Sequence, residues 1–386
     1  MSNNEIEKLK KDLFSATKLN EKFPEYSMGS KNSNNNENLY KVDLSLIKDK
    51  NEGYISTIRF LPNIKLDYSL DSNYIKRKRH FIDVKEPRQF RRYFDSPYYN
   101  FNEPCPLSKL WRDLKNSKNA KLVENSNCIK LSTRFYSYVE IIEDKQRPDL
   151  VGKIMIFEFG PQIEKIIENQ KAGLIDTPCN IFDPANGKDF VLIVKQSAGR
   201  TNWGDYTQSQ FKTQSSALSI MHKDKFVKAP RVTYKELAQK KEFDVNSVDN
   251  KTWETLQNEY TFSSNVQDVV MDYIINGEHI TNDDGSKSCL IDAFRPKKLT
   301  DKDLETITNI TKLLTGQADA SDFNTSGQPY IVDRSNSINE NDFLTPQNVA
   351  TTETKADEFA NIETFNKEDV TDDNPFDDDG FGELEL

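Results

Sequence analysis

Cysteine is scarce: four residues in a chain of 386, at Cys105, Cys128, Cys179 and Cys289, widely separated and with no CxxC pair. Isolated thiols spaced like this point to free cysteines rather than a disulfide framework. Histidine is scarcer, with three residues, and no zinc quartet is evident. Long apolar runs are missing: none approaches the roughly 20 residues that a membrane helix needs. The opening residues, MSNNEIEKLKKD, carry no signal-peptide core. A soluble, cytoplasmic protein with no membrane partner is expected. Gly187-Lys188 lacks both the upstream glycine and the following Ser or Thr of a Walker loop. No tight carboxylate cluster that would hold two metals is present either. Together these gaps argue against an enzyme acting on nucleic acid, and no catalytic residue is expected.

Hydrophobic residues make up 35% and charged residues 30%. That is polar for a wholly folded chain, so part of it is expected to be disordered. The net charge of -10 hides a segregation of sign. Met1 to Gly53 is neutral, while Tyr54 to Arg231 holds 30 basic and 20 acidic residues, or +10. Val232 to Thr352 carries -9, and Glu353 to Leu386 carries -11. A basic middle with an acidic end is a common arrangement in chains that bind nucleic acid.

The organising stretch runs from Ile129 to Phe211. Three β-branched or aromatic runs, Phe135 to Ile142, Lys153 to Phe159 and Phe190 to Lys195, alternate with period two and are bounded by turn formers, as half-buried strands are. A helix-like insert, Gln162 to Lys171, separates the second run from the third. Strands with an inserted helix and exposed aromatic and basic side chains suggest a small barrel that binds a polyanion.

Upstream, Ile6, Leu9, Leu13 and Phe14 recur at helical spacing among Lys8, Lys10 and Lys11, giving a short amphipathic helix or an arm that docks on a neighbouring copy. The run KNSNNNENLY reads as a polar linker. Tyr40 to Leu61 reads as two strands around the turn KDKNEG, with Arg59 facing away from Ile58 and Phe60. Tyr74 to Trp111 is the most basic region: Lys76, Arg77, Lys78, Arg79, Arg88, Arg91 and Arg92 interleave with Tyr74, Phe81, Phe90, Tyr93, Phe94, Tyr98, Tyr99 and Phe101. The cations neutralise phosphates and release counterions, and the rings offer bases a stacking face. Holding an unpaired strand without reading its sequence takes both.

Lys130, Arg134, Phe135, Tyr136 and Tyr138 crowd one strand and its approach. Phe135 and Tyr136 point to opposite faces, so one is expected in the core and the other exposed. In KQSAGRTNWGDYTQ, Arg200, Trp203 and Tyr206 sit in a glycine-flanked polar loop, where stacking or clamping on a strand explains the tryptophan better than packing. Trp111 falls in an amphipathic turn with Leu107, Leu110 and Leu114 and reads as core.

From Val232 to Leu314 the pattern turns helical, in YKELAQKK, TWETLQNEY, NVQDVVMDYIIN and DKDLETITNITKLLTG, the last with Thr300 as its N-cap. His279 with Asp283 and Asp284 reads as a surface loop. After Gly316 apolar residues occur only singly. The acidic end sets Phe376, Phe381, Leu384 and Leu386 among carboxylates, where they offer anchors for partner proteins.

Several segments fall in the order found in one family. STIRFLPN, PCPLSKLW, STRFYSYVEII followed by GKIMIFEFG, FVLIVKQSAG with its aromatic loop, and the acidic C-terminus resemble the single-stranded DNA-binding (helix-destabilising) replication proteins of T-even-type tailed phages. The resemblance covers roughly Tyr40 to Phe211 and the tail. It implies an α+β fold: an OB-fold-like β-barrel core over 40–231, whose cleft holds unpaired DNA, with a basic, aromatic-rich subdomain at about 63–128. Around the core lie an N-terminal arm and linker over 1–39, a helical extension over 232–315 and a disordered acidic tail over 316–386. Arg59, Lys130, Arg134, Tyr136 and Trp203 or Tyr206 fall where that family has cleft residues. Self-association along DNA through the arm and recruitment of replication and recombination proteins by the tail are implied as well.

The chain departs from the family in three places. Of a zinc site built from one His and three Cys, His80 and Cys105 match, Ser108 replaces one Cys and no fourth ligand is evident; no zinc or other cofactor is expected. The arm is less basic than the family's, and the helical region is longer. The expected function is that of a non-enzymatic protein coating single-stranded DNA with little sequence preference in replication, recombination and repair. An RNA-binding or protein-interaction scaffold with a basic face is the alternative.

Overall fold

The structure, a computed structural model, describes residues 4, 7–10, 38–47, 53–65, 71–85, 90–174, 176–197, 200–222, 225–275, 279–281 and 285–317. Arg88, the 316–386 tail beyond residue 317 with its Phe and Leu anchors, Asp283 and Asp284, and most of the N-terminal arm lie outside these residues.

The main sheet contains β1 (Leu39–Tyr40), β2 (Tyr54–Phe60), β3 (Ile75–Val84), β4 (Phe90–Asp95), β5 (Ile129–Asp144), β6 (Ile154–Phe159), β7 (Lys188–Ser197), β8 (Arg200–Asp205) and β9 (Gln210–Ser215). Its order is β1-β6-β5-β2-β7-β8, with β3 pairing β4 and β5, and β9 pairing β7. The pairing path does not close into a barrel among the described residues, which corrects the closed form expected from the strand pattern. The three expected strands are present as β5, β6 and β7, and the expected insert is the helix Pro161–Ala172, capped by Gly173 at φ 68°. The hairpin expected over Tyr40 to Leu61 is not formed: β1 runs parallel to β6 instead. Asp43 captures the Ser45 N–H and turns the chain into a 3-10 turn, Leu44–Leu46, where a long strand was expected.

At 16 residues β5 is long enough to serve two partners along one edge. Ile129 to Tyr136 pair with β3, and Val139 to Asp144 pair with β2, while β6 takes the opposite edge. Odd-numbered Phe135, Val139 and Ile141 enter a core built with Tyr54, Ile58, Phe60, Phe157, Phe190 and the helix residues Ile163 and Ile167. A bulge opposite Thr57/Ile58 then turns Asp144 to this face. There its carboxylate accepts hydrogen bonds from Tyr40 Oη (2.7 Å) and Tyr54 Oη (2.5 Å), tying three strands together.

Helices follow the hydrophobic spacing. Among the described residues they include α1 (Pro97–Phe101), α2 (Pro106–Lys115), α3 (Ala120–Asn125), α4 (Pro161–Ala172), α5 (Tyr234–Gln239), α6 (Asn250–Leu256), α7 (Ser264–Ile275) and α8 (Asp301–Thr315). Thr300 caps α8 as expected, in a reciprocal capping box with Asp303. After the main sheet, β10 (Ser219–His222) pairs with β11 (Lys225–Lys228), and short strand pairs that the helical pattern concealed interrupt the 232–315 region, β12 (Val232–Thr233) with β13 (Tyr260–Thr261) and β14 (His279–Thr281) with β15 (Lys287–Cys289). Its elements pack back on the rest. Phe262, Val270, Met271 and Ile274 meet Leu61, Ile64 and the arm residue Leu9. Leu290, Ile291 and Phe294 meet Ile75, Tyr136 and Ile156. Ile307, Ile310 and Leu314 of α8 meet Leu107, Leu110 and Leu114 of α2, with Trp111 at the margin.

Candidate nucleic-acid interface

Because opposed residues in a sheet share a face, the even-numbered side chains of β5 define one surface: Lys130, Ser132, Arg134, Tyr136, Tyr138 and Glu140. On β3 they lie beside Phe81, Arg79, Arg77 and Ile75, and on β2 Arg59 lies beside Glu140. This surface therefore holds most of the strand-borne residues that the sequence nominated.

Its C-terminal half is covered. Arg59 is 1% exposed and donates from Nη2 to the Asp183 carbonyl (2.6 Å) and from Nη1 to Ser216 Oγ (3.2 Å), with Asp189 at 3.6 Å. A Cβ on Gly187 would strike this guanidinium, so Gly187-Lys188 makes room for an arginine. Glu140 is fully buried opposite Arg59, and loss of hydration pushes its carboxyl up to about 8 against the pull of Arg59. The Tyr136 ring stacks on Phe294 at 4.7 Å, and burial raises its hydroxyl to about 12. Tyr138 Oη accepts the Ile291 N–H at 3.0 Å. Phe135, on the other face, stacks on Phe159 at 5.4 Å. The expectation that one of Phe135 and Tyr136 is exposed thus fails: the sheet is covered on both faces here, as alternation alone cannot reveal.

The N-terminal half of β5 is open only in part: Ser132, with Arg77, Arg79 and Phe81 beside it on β3, is buried. Lys130 is exposed, and Arg134 is half-buried with Glu158 at 3.3 Å. On the other face of β3, beside Phe135, Lys76 is exposed with its ammonium 5.5 Å from the Phe135 ring centroid. Lys78 lies 4.3 Å above the Tyr99 ring, which in turn meets the exposed Tyr98 edge-on at 5.0 Å. Arg77 is buried in a two-bond pair with Asp95. Arg79 is buried over the Tyr93 ring at 4.5 Å. Arg91 pairs with Asp83 at 3.0 Å, and Arg92 with Asp303 of α8 at 2.5 Å. Tyr206 packs against the main core. Arg200 and Trp203 lie in β8, not in a loop, and their side chains fall outside those described. The Tyr98–Tyr99 pair on α1 was within reach of sequence reasoning, since both rings stand beside the basic run.

His80 is wholly buried, and loss of hydration lowers its imidazole to about 4, which keeps it neutral at pH 7. Nε2 lies 3.3 Å from Cys105 Sγ and 3.2 Å from Ser108 Oγ. Cys105 Sγ also accepts the Ser108 N–H at the start of α2. Among the described residues no three Cys, His, Asp or Glu side chains converge on a metal position. The donor set does not fit zinc: a serine hydroxyl stands where a thiolate is needed.

The family model described as "gp32 DNA binding protein like" matches residues 53–275, more than half of the chain. The chain belongs to this family. Among curated proteins, the single-stranded DNA-binding proteins of Enterobacteria phages T4 and T2 are each 28% identical over 123 residues. The match spans 31% of this chain and 38% of each relative. Family similarity covers β2 to β9 and α7 but begins after β1 and stops before Cys289, so the segment that stacks Phe294 on Tyr136 and the helix α8 lie beyond it. No helix among the described residues is long and apolar enough to cross a membrane.

Proposed function

We propose that this chain binds single-stranded DNA without catalysing a reaction on it, coating the strand with little sequence preference in phage replication, recombination and repair. The observation that carries this reading is the family match over the sheet, joined to the open cationic end of β5 and β3. Lys130 and Arg134 on one face of the sheet, and Lys76 on the other, supply phosphate contacts, and Tyr98 with Tyr99 supplies a stacking edge beside Lys78 on the Lys76 face. The long β5, shared by β3 and β2 along one edge, supports reading the sheet as a partly open OB-type fold. Arg88, Arg200 and Trp203 complete the proposed contact set.

Two further roles belong to the same reading. Leu9 is buried among α7 residues, and Lys10 pairs with Asp268, so α7 offers the seat on which the arm of a neighbouring copy docks along DNA. The acidic tail recruits replication and recombination proteins through Phe376, Phe381, Leu384 and Leu386.

Fluorescence titration with oligo(dT) at two salt concentrations tests the reading. Saturable quenching that weakens with salt supports it; no response at low salt removes it. Competition between DNA and RNA strands of equal length separates it from the RNA-binding alternative.

A further inference from the structure

Arg79 is 1% exposed, yet among the described residues its Nε and Nη1 have no hydrogen-bond partner and its charge has no acidic one. The sheet explains this. β4 sets Asp95 directly opposite Arg79, but that carboxylate already accepts Arg77 Nε (2.6 Å), Arg77 Nη2 (2.8 Å) and the Lys297 N–H (2.8 Å). On the other edge β5 sets Ser132 opposite, flanked on the same face by Lys130 and Arg134. Glu158 is held by Arg134 at 3.3 Å, and exposed Lys130 has no ion-pair partner among the described residues. The Tyr93 ring covers one flat side of the guanidinium, 4.5 Å from its carbon.

A guanidinium taken out of water without a counter-charge is unfavourable until an anion joins it. Its planar fork of N–H donors matches two oxygens of a phosphate. With a hydroxyl opposite on β5, two cations diagonal to it, and the Asp95 carboxylate opposite on β4 already neutralised by Arg77, the surroundings favour a phosphate over a cation or an apolar group. We infer that Arg79, Ser132 and Lys130 form a seat for one phosphate group, filled by a backbone phosphodiester of the bound strand. This rests on the strand-binding reading and adds to it one fixed point that sets the strand's position on the sheet. Arg77, with its charge matched by Asp95, has no such role.

Two variants and two probes test the seat. Arg79→Met keeps the stem over Tyr93 and removes the charge; Arg79→Lys keeps the charge and removes the fork. Without ligand, Arg79→Met should raise Tm, because an unmatched buried charge is gone. With oligo(dT) it should bind about tenfold more weakly, with a salt slope smaller by about one. Arg79→Lys should lose affinity and keep the slope. Inorganic phosphate should raise the wild-type Tm above its value in chloride at equal ionic strength and leave Arg79→Met unmoved.

A lowered Tm for Arg79→Met, with oligo(dT) affinity and slope unchanged, would make Arg79 structural and overturn the seat. Equal stabilisation of wild type and Arg79→Met by phosphate would overturn it too. Should Arg79→Met fail to fold, unchanged oligo(dT) affinity in Arg79→Lys overturns it, and reduced affinity at constant slope supports it. A wild type that takes phosphate through Arg79 but binds no oligo(dT) keeps the seat for a free phosphate and removes the strand reading, so the two failures are told apart.

Discussion

The Tyr136 ring stacks on the Phe294 ring with centroids 4.7 Å apart and planes inclined at 27°. One residue sits in the middle of β5, and the other follows β15 in a segment beyond the family match. Their contact helps to close the face on which Arg59, Tyr138 and Glu140 also lie, and it leaves the cation-bearing end of β5 as the open part. Removing it should be costly. Phe294→Ala should lose about 3 kcal/mol of stability in urea unfolding; a loss below about 1 kcal/mol would mean that the segment is not held by this ring.

Arg59 and Lys130 should behave in opposite ways. Arg59→Met breaks a buried pair and should cost about 3–5 kcal/mol, with the salt slope of oligo(dT) binding unchanged wherever the variant is folded. Lys130→Ala should change stability by less than about 0.5 kcal/mol and reduce the salt slope by about one. An unchanged slope in Lys130→Ala would remove that lysine from the contact set.

Glu140 sets a pH dependence with a definite sign. Its carboxyl is raised from 4.5 to about 8 by burial, so the folded chain keeps a proton that the unfolded chain releases. Between about pH 4.5 and 8 the wild type therefore loses stability as pH rises. Glu140→Gln mimics the protonated form, and its Tm advantage over the wild type should grow through this window and level off above it. A constant difference from pH 5 to 8 would show that Glu140 is ionised in the fold.

The site around His80 should be indifferent to chelators. Packing of α8 on α2 holds this subdomain, and the two donors present do not make a zinc site. EDTA should leave Tm unchanged, and metal analysis should find no zinc. A fall in Tm on chelation would require a ligand from outside the described residues.

Local patterning carried much of the fold into view. The period-two runs became β5, β6 and β7, the Gln162–Lys171 insert became α4, and Thr300 caps α8. Pairing was less legible, since nothing in LYKVDLSLI says that its strand joins β6 rather than β2. The charge pattern pointed to the right region but could not rank its members. Arg59, Arg77 and Lys130 look alike in sequence, and only the partners brought by distant segments separate them: Asp183 for Arg59, Asp95 for Arg77 and, among the described residues, no ion-pair partner for Lys130. One of Phe135 and Tyr136 was expected at the surface, and both are covered; the cover of Tyr136, Phe294, comes from 158 residues further along the chain.

Hydrogen–deuterium exchange with and without a saturating oligo(dT) tests most directly where a strand lies. Slower exchange is expected over residues 75–80, 97–101 and 129–134, with 136–140 and 289–295 already slow and unchanged. Protection confined to 136–140 and 216–275, with none at 129–134, would contradict this and place the strand beneath the segments that cover Tyr136 and Glu140.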